Sequence, residues 1–297
     1  MISIKNVLTK HTKLNLMCIE ELSMGFTKDK KFKLTDVNGT EYFMRQSEKT
    51  QTYDKLKHEY ELLAYLNEKN FFSPKPLYYF QHAKNVYLIT SFIKGSKLSD
   101  MMQRLTKNEQ YDLGTKAGLL LKSFHELFKI EVPLDSFIQR KMTEYMTPFD
   151  QKSCAKEYQI LTTYVSENLH LIPSVSSIME HSDFHLGNLL IDQKVLYMID
   201  FNGSHVGIIH DEFYKLELFD FDISPHYVKG VFDSYLSSIE KVGFFRLHKV
   251  FLAISLIQAL RWGSKEKQDI YQHEINRARR IIDAYDQFES VFPNWMI

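Results

Sequence analysis

The residues best suited to chemistry lie in one stretch, His181-Ser182-Asp183-Phe184-His185-Leu186-Gly187-Asn188, followed by Leu189-Leu190-Ile191-Asp192-Gln193-Lys194-Val195-Leu196-Tyr197-Met198-Ile199-Asp200-Phe201. Two apolar, β-prone runs flank the polar turn Asp192-Gln193-Lys194, so the second half reads as a β-hairpin. Such a hairpin holds Asn188 at one end and Asp200 at the other, close in space, with Asp183 on the loop that leads in. Phosphoryl transfer needs this set of groups. A carboxylate must accept the proton of the attacking hydroxyl or orient it, and Asp183 suits that role. Oxygen ligands must hold Mg²⁺ on the phosphates, and Asn188 with Asp200 suit this hard cation, which takes few protein ligands. An Asp followed five residues later by Asn, or a strand-borne Ile-Asp-Phe, is common by itself; the joint pattern carries the inference. His181, Asp183 and His185 alternate along an extended segment and offer a competing transition-metal site, which no third His or Cys cluster completes.

Elements to position these groups are legible upstream. Asn38-Gly39 sits between the β-prone runs Lys31-Phe32-Lys33-Leu34-Thr35-Asp36 and Glu41-Tyr42-Phe43-Met44-Arg45, a strong hairpin signal. Residues 53–69 turn helical, with Leu56, Tyr60, Leu63 and Leu66 or Asn67 on one face. Leu77-Tyr78-Tyr79-Phe80 and Val86-Tyr87-Leu88-Ile89-Thr90 read as two further strands. From about Ser96 onward helices dominate. Thr106 and Glu109 form a capping box before a helix with a Leu113, Ala117, Leu120, Phe124, Leu127 stripe. Residues 250–260 are the longest apolar run, shorter than the roughly 20 residues of a membrane span, and read as a buried helix. Asp211, Glu212, Glu217, Asp220 and Asp222 crowd a short stretch with a single lysine, Lys215. Such acidity suits a pocket for a cationic substrate, or a solvated helix face, the commoner case.

Bulk properties narrow the classes. Of 297 residues, 44% are apolar and 25% charged, the balance of an ordinary globular chain. Lys plus Arg equals Asp plus Glu, 37 each, so no basic field gathers nucleic acid or anionic lipid. Two cysteines, Cys18 and Cys154, make no disulfide framework and fit a reducing compartment. No apolar leader follows Met1. The expectation is a cytoplasmic monomer or homodimer without nucleic-acid or membrane partners.

The segment from His181 to Phe201 resembles the catalytic core of the aminoglycoside phosphotransferase and choline kinase-like family, distant relatives of protein kinases, whose catalytic loop reads His-x-Asp-x-x-x-x-Asn and whose Ile-Asp-Phe replaces Asp-Phe-Gly. Phe292-Pro293-Asn294-Trp295 resembles the tails of bacterial members. The resemblance implies an α+β, bilobal protein-kinase-like fold. A small antiparallel-sheet lobe with one helix, residues 1–93, would bind nucleotide; a larger, mainly helical lobe, 94–297, would carry the catalytic hairpin and bind substrate. It further implies Arg45 on the third strand in place of the usual phosphate-binding Lys, paired with Glu59 on the helix, Glu61 being the fallback. Arg also grips phosphate, but with different geometry. Ser23 and Thr27 would face the phosphates from a loop with a single Gly. The backbone of Ser91 and Ile93 would meet the base, ATP by default with GTP as the alternative. The usual Gly-Asp-Pro is lost after Asp200, and Glu212 takes the place of the helix carboxylate that braces the catalytic loop.

The expected activity is ATP- and Mg²⁺-dependent O-phosphorylation of a small-molecule hydroxyl, with Asp183 as catalytic base. An aminoglycoside-like antibiotic or another amino sugar is the named acceptor, implying antibiotic resistance. The alternatives are a housekeeping kinase for choline, a methylthio-sugar or homoserine, and a nucleotide-binding pseudokinase, which Arg45 and the lost Gly-Asp-Pro motivate. A protein kinase fits less well, since no Ala-Pro-Glu follows Ile-Asp-Phe.

Overall fold

The computed structural model describes residues 4–22, 29–48, 53–128, 133–174 and 177–296. Two compact units emerge, one of Met1–Leu98 with Gly187–Ser204, the other of Ser99–Leu186 with His205–Ile297. The fold is α+β and protein-kinase-like, with an antiparallel sheet toward the N-terminus and helices toward the C-terminus.

In the first unit, β1 (Leu16–Leu22), β2 (Lys30–Asp36), β3 (Glu41–Glu48), β4 (Pro76–His82) and β5 (Asn85–Ser91) form one antiparallel sheet in the order β1-β2-β3-β5-β4. The β2–β3 turn closes as its residues dictate: Gly39 adopts φ 79°, and Asp36 Oδ1 accepts the N–H groups of Asn38 and Thr40, each at 2.9 Å. Helix α2 (Tyr53–Glu68) buries Leu56, Leu63 and Leu66. One expectation needs correcting: the unit has a second helix, α1 (Ile4–His11). Along β5 the side chains alternate between two layers. Tyr87 and Ile89 join Val7 and Leu8 of α1 in one cluster, whereas Val86 and Leu88 pack with Leu56 of α2 in another. An apolar strand without polar alternation is covered on both faces, and that was the available signal for α1.

The sequence from Ser96 to Met198 supplies a second, three-stranded sheet to this unit. β6 (Ser96–Lys97) pairs with β8 (Leu189–Asp192), and β8 with β9 (Val195–Met198). Gln193 and Lys194 both take positive φ, 47° and 71°, so the two-residue turn has the handedness that matches strand twist. Met198 N–H donates to the Phe72 carbonyl at 3.0 Å. Grouped by compactness, the hairpin therefore goes with the sheet unit, whereas a cut at residue 93 assigns it to the helical lobe.

In the second unit the Thr106–Glu109 capping box forms, and Leu113, Ala117, Leu120 and Phe124 are buried. The helix Lys107–Glu126 packs against Pro225–Tyr235 with almost no gap: a Cβ on Gly114 would strike the Tyr227 carbonyl, and one on Gly230 the Tyr111 carbonyl. The apolar run near residue 250 belongs to a helix of 23 residues, Lys241–Gly263, longer than the run itself suggests and long and apolar enough to cross a membrane. Within its apolar window 72% is buried inside the protein, and every residue from Phe244 to Ile257 except Arg246 is buried. β7 (Ile178–Glu180) pairs with β10 (His205–Gly207) beside these helices.

Candidate active site

The first unit gathers charged groups around Arg45. The guanidinium is 4% exposed, because its strand position opposite Leu88 points it to the α2 side of the sheet. There it forms an ion pair with Glu59 of α2, donates from Nη1 to Asp200 Oδ1 at 3.2 Å and lies 3.7 Å from Asp29 through Nε. Burial lowers the Arg45 pKa, and the charges of Asp200 and Asp29 work against that loss. The fallback, Glu61, is exposed and faces Lys57 at 3.6 Å. Asn188 and Asp200 meet at the open end of the hairpin, where Ile199 N–H donates to the Asn188 carbonyl at 3.0 Å. Asp200 adopts a left-handed backbone, φ 65° and ψ 61°, uncommon for a side chain outside Gly and tolerated best by Asp and Asn.

At the hinge, Ser91 N–H donates to the Lys75 carbonyl at 2.8 Å and Ser91 Oγ accepts the Lys75 N–H at 2.9 Å. These bonds close the end of β5, where the Ser91 carbonyl accepts the Thr90 hydroxyl at 3.2 Å. Ser23 and Thr27 lie outside the described residues.

The second unit holds the loop of residues 181–186. Asp183 sits at its centre. Lys215 Nζ donates to Asp183 Oδ1, and His185 Nε2 lies 3.6 Å from the same oxygen. Burial alone would raise the Asp183 carboxyl; contact with the His185 imidazole and the Lys215 ammonium outweighs burial and holds it well below the usual carboxylate range. The group is therefore an anion at neutral pH, an acceptor for a hydroxyl proton.

Two buried carboxylates grip the loop backbone. Glu212 accepts the His181 N–H at 2.6 Å and the Ser182 N–H at 3.0 Å, the bracing that the resemblance implied. Despite burial its carboxyl is lowered, first through His125 and then through His181, including the His181 N–H. Asp220 accepts the Leu186 N–H through both oxygens, at 3.1 and 3.0 Å; burial pushes its carboxyl up. His181 is fully buried, and its Nδ1 accepts the Asp183 N–H at 3.2 Å. The competing transition-metal site has no geometry behind it: among the described residues no three His, Cys, Asp or Glu side chains cluster to hold a metal.

Of the five acids in the stretch, four lie inside the protein and Asp222 is exposed. Asp211, Glu212, Glu217 and Asp220 are each at most 3% exposed. Asp211 pairs with Lys141 at 2.7 Å, Glu217 with His248 and the Tyr285 hydroxyl at 2.8 Å, and Asp222 with Arg280 at 2.9 Å. The physical reason is that a segment bracing a loop from within must carry acceptors for its N–H groups and cations for its charges. Sequence reasoning missed Asp220 and Lys215 as partners of the loop; the isolated lysine among acids was the one visible sign.

A protein-kinase-like fold whose Asp-bearing loop is gripped in this way defines a small-molecule kinase. The chain belongs to the phosphotransferase enzyme family APH, whose sequence profile matches residues 19–245. In fold it is similar to APH(2")-IIa in complex with gentamicin, at 18% identity over 94% of this chain and 96% of that one, with a TM-score of 0.66. It is similar to choline kinase from Cryptosporidium parvum Iowa II, at 15% identity over 93% and 92%, TM-score 0.60. It is also similar to amicoumacin kinase hAmiN, at 12% identity over 98% and 95%, TM-score 0.64. At these identities the likeness is one of fold. Comparison with curated protein sequences finds no match.

Proposed function

We propose that the protein transfers the γ-phosphate of ATP to a hydroxyl of a small molecule, with Asp183 as the base. The observation that carries this reading is an ionised Asp183 on a loop whose entry is fixed by Glu212 and whose exit is fixed by Asp220. An anion so held can accept the hydroxyl's hydrogen bond without reorganising as the bond to phosphorus forms. Neighbours of the same fold support a nucleotide substrate, among them APH(2")-IIa with streptomycin and ATP and hAmiN with AMP-PNP, Ca²⁺ and Ami.

Asn188 and Asp200 offer an amide oxygen and a carboxylate at one end of the hairpin, a donor set that fits Mg²⁺. When bound there, the ion would neutralise phosphate charge. Arg45, fixed by Glu59, would meet the phosphates, with Ser23 and Thr27 contributing from their loop. The Ser91 carbonyl and Ile93 N–H would take the base, GTP remaining the alternative to ATP.

An aminoglycoside-like antibiotic or amino sugar is the first acceptor to test. A second reading, a housekeeping metabolite kinase, is favoured by one observation: Asp211, Glu212, Glu217 and Asp220, four of the five acids that could have lined a cationic pocket, are buried inside the protein, and Lys215 stands beside Asp183. A panel of gentamicin, streptomycin, hygromycin B, choline, homoserine and a methylthio-sugar with radiolabelled ATP and Mg²⁺ tests both. Labelled phosphate on one acceptor at low-micromolar KM identifies the class. Thermal stabilisation by ATP and Mg²⁺ without phosphate consumed on any acceptor would mean a pseudokinase and end this reading.

A further inference from the structure

One segment touches the catalytic loop at three successive points. Glu212 takes the N–H groups at its entry, Lys215 the Asp183 carboxylate at its centre, and Asp220 the N–H at its exit. The spacing between the last two matters. On an α-helix, residues three or four apart share a face. Lys215 and Asp220 are five apart, and the turn between them, Leu216–Asp220, is a π-helix in which the Phe221 N–H bonds to the Leu216 carbonyl. The widened turn brings the fifth residue back toward the same side, and such turns concentrate at functional sites. Lys215 is largely enclosed, its side chain 17% exposed, with its ammonium 5.8 Å from the centre of the Tyr214 ring. A lysine ordered in this way loses side-chain freedom, and a solubilising role does not require that.

We propose that Lys215 is a positioning residue for the transfer step: anchored by the π-turn, its ammonium fixes the Asp183 carboxylate against the loop and sets positive charge beside the attacking oxygen. This rests on the phosphotransfer reading above. The charged and titratable groups facing Asp183 are Lys215, His185, Asp220 and Tyr214. Lys215 and His185 lower its carboxyl. Burial pushes the Asp220 carboxyl up, and the Leu186 N–H and the Lys215 charge work against that. Without the ammonium, the half-enclosed carboxylate loses its hydrogen bond from Lys215 Nζ, while His185 stays 3.6 Å away.

The test uses the full chain carrying Asp labelled with ¹³C at the carboxyl carbon, the Asp183 signal being assigned by its loss in Asp183→Asn. Turnover is read with ATP, Mg²⁺ and water as acceptor. In Lys215→Met the Asp183 carboxyl is expected to titrate at higher pH than in the wild type. Its kcat is expected to fall about 10- to 100-fold, less than for full loss of the base, at unchanged KM for ATP. Lys215→Arg, which keeps the charge, is expected to restore the titration and much of kcat. Should Lys215→Met fail to fold, Lys215→Gln carries the same comparison. An Asp183 titration unchanged by loss of the ammonium overturns the Lys215 assignment, as does an unchanged kcat. Absence of ATP turnover by the wild type with water and with every acceptor sinks the phosphotransfer reading itself, and the role in transfer with it, whatever the titration shows.

Discussion

Nη1 of Arg45 donates to Oδ1 of Asp200 across 3.2 Å. A guanidinium on the third strand is thus tied directly to the carboxylate at the open end of the hairpin, while the same side chain pairs with Glu59. The planar fork presents a different nitrogen to each carboxylate, Nη1 to Asp200 and Nη2 to Glu59.

Arg45→Ala leaves Glu59 buried without its cation and is expected to cost about 3–5 kcal/mol in stability, measured by urea unfolding. Arg45→Lys keeps the charge and loses the fork. It is expected to unfold at a denaturant midpoint between those of the wild type and the Ala variant, with a raised KM for ATP. Equal midpoints for wild type and Ala would contradict the assigned ion pair.

Asp183→Asn removes the anion while leaving the loop's backbone bonds to Glu212 and Asp220 in place. Turnover is expected to drop about 10²- to 10⁴-fold, with a lower melting temperature because the Lys215 ammonium loses its anion. Asp200→Ala is expected to abolish Mg²⁺-dependent turnover; full activity in that variant would refute the metal assignment.

Glu212→Gln tests the clamp. An amide offers one carbonyl oxygen where the carboxylate offers two to the N–H groups of His181 and Ser182. A buried N–H left without its acceptor costs about 1–3 kcal/mol. The expected outcome is a lower kcat, with faster hydrogen exchange confined to residues 181–183 and their neighbours. Exchange rates there equal to the wild type would show that the clamp does not hold the loop.

Lys249 supplies a pH prediction. It is 2% exposed and donates to the carbonyls of Phe288 and Ser290, each at 2.8 Å. Burial nevertheless lowers its pKa to about 8. Between that value and the ordinary lysine range the unfolded chain binds more protons than the folded one, so this group's contribution to stability rises with pH across that window. The melting temperature of the wild type relative to Lys249→Met is expected to increase from pH 8 to pH 10. A difference that stays flat, or falls, would contradict the assignment.

Much of this architecture was legible because its signals are local. Asn38-Gly39 demands a tight turn, Thr106 with Glu109 caps a helix through its own backbone, and the apolar runs around Gln193-Lys194 pair across two residues. Asn188 and Asp200 could be brought together on paper because one hairpin carries both. Arg45 and Glu59 were paired through the family resemblance, and burial on the α2 side of the sheet gives that pairing its physical basis. Helix α1 was missed because the evidence for it lies in β5, whose two apolar faces require a cover on each side.

The sequence by itself determined which groups are equipped for chemistry, since residue type sets what a side chain can accept, donate or ligate, and the spacing from His181 to Asp200 is a covalent fact. Only the tertiary structure decided what the acids after residue 210 are for. Composition counts charges without knowing whether water or a backbone N–H faces them. Packing placed Glu212 and Asp220 under the catalytic loop, and a widened helical turn then delivered Lys215 to Asp183.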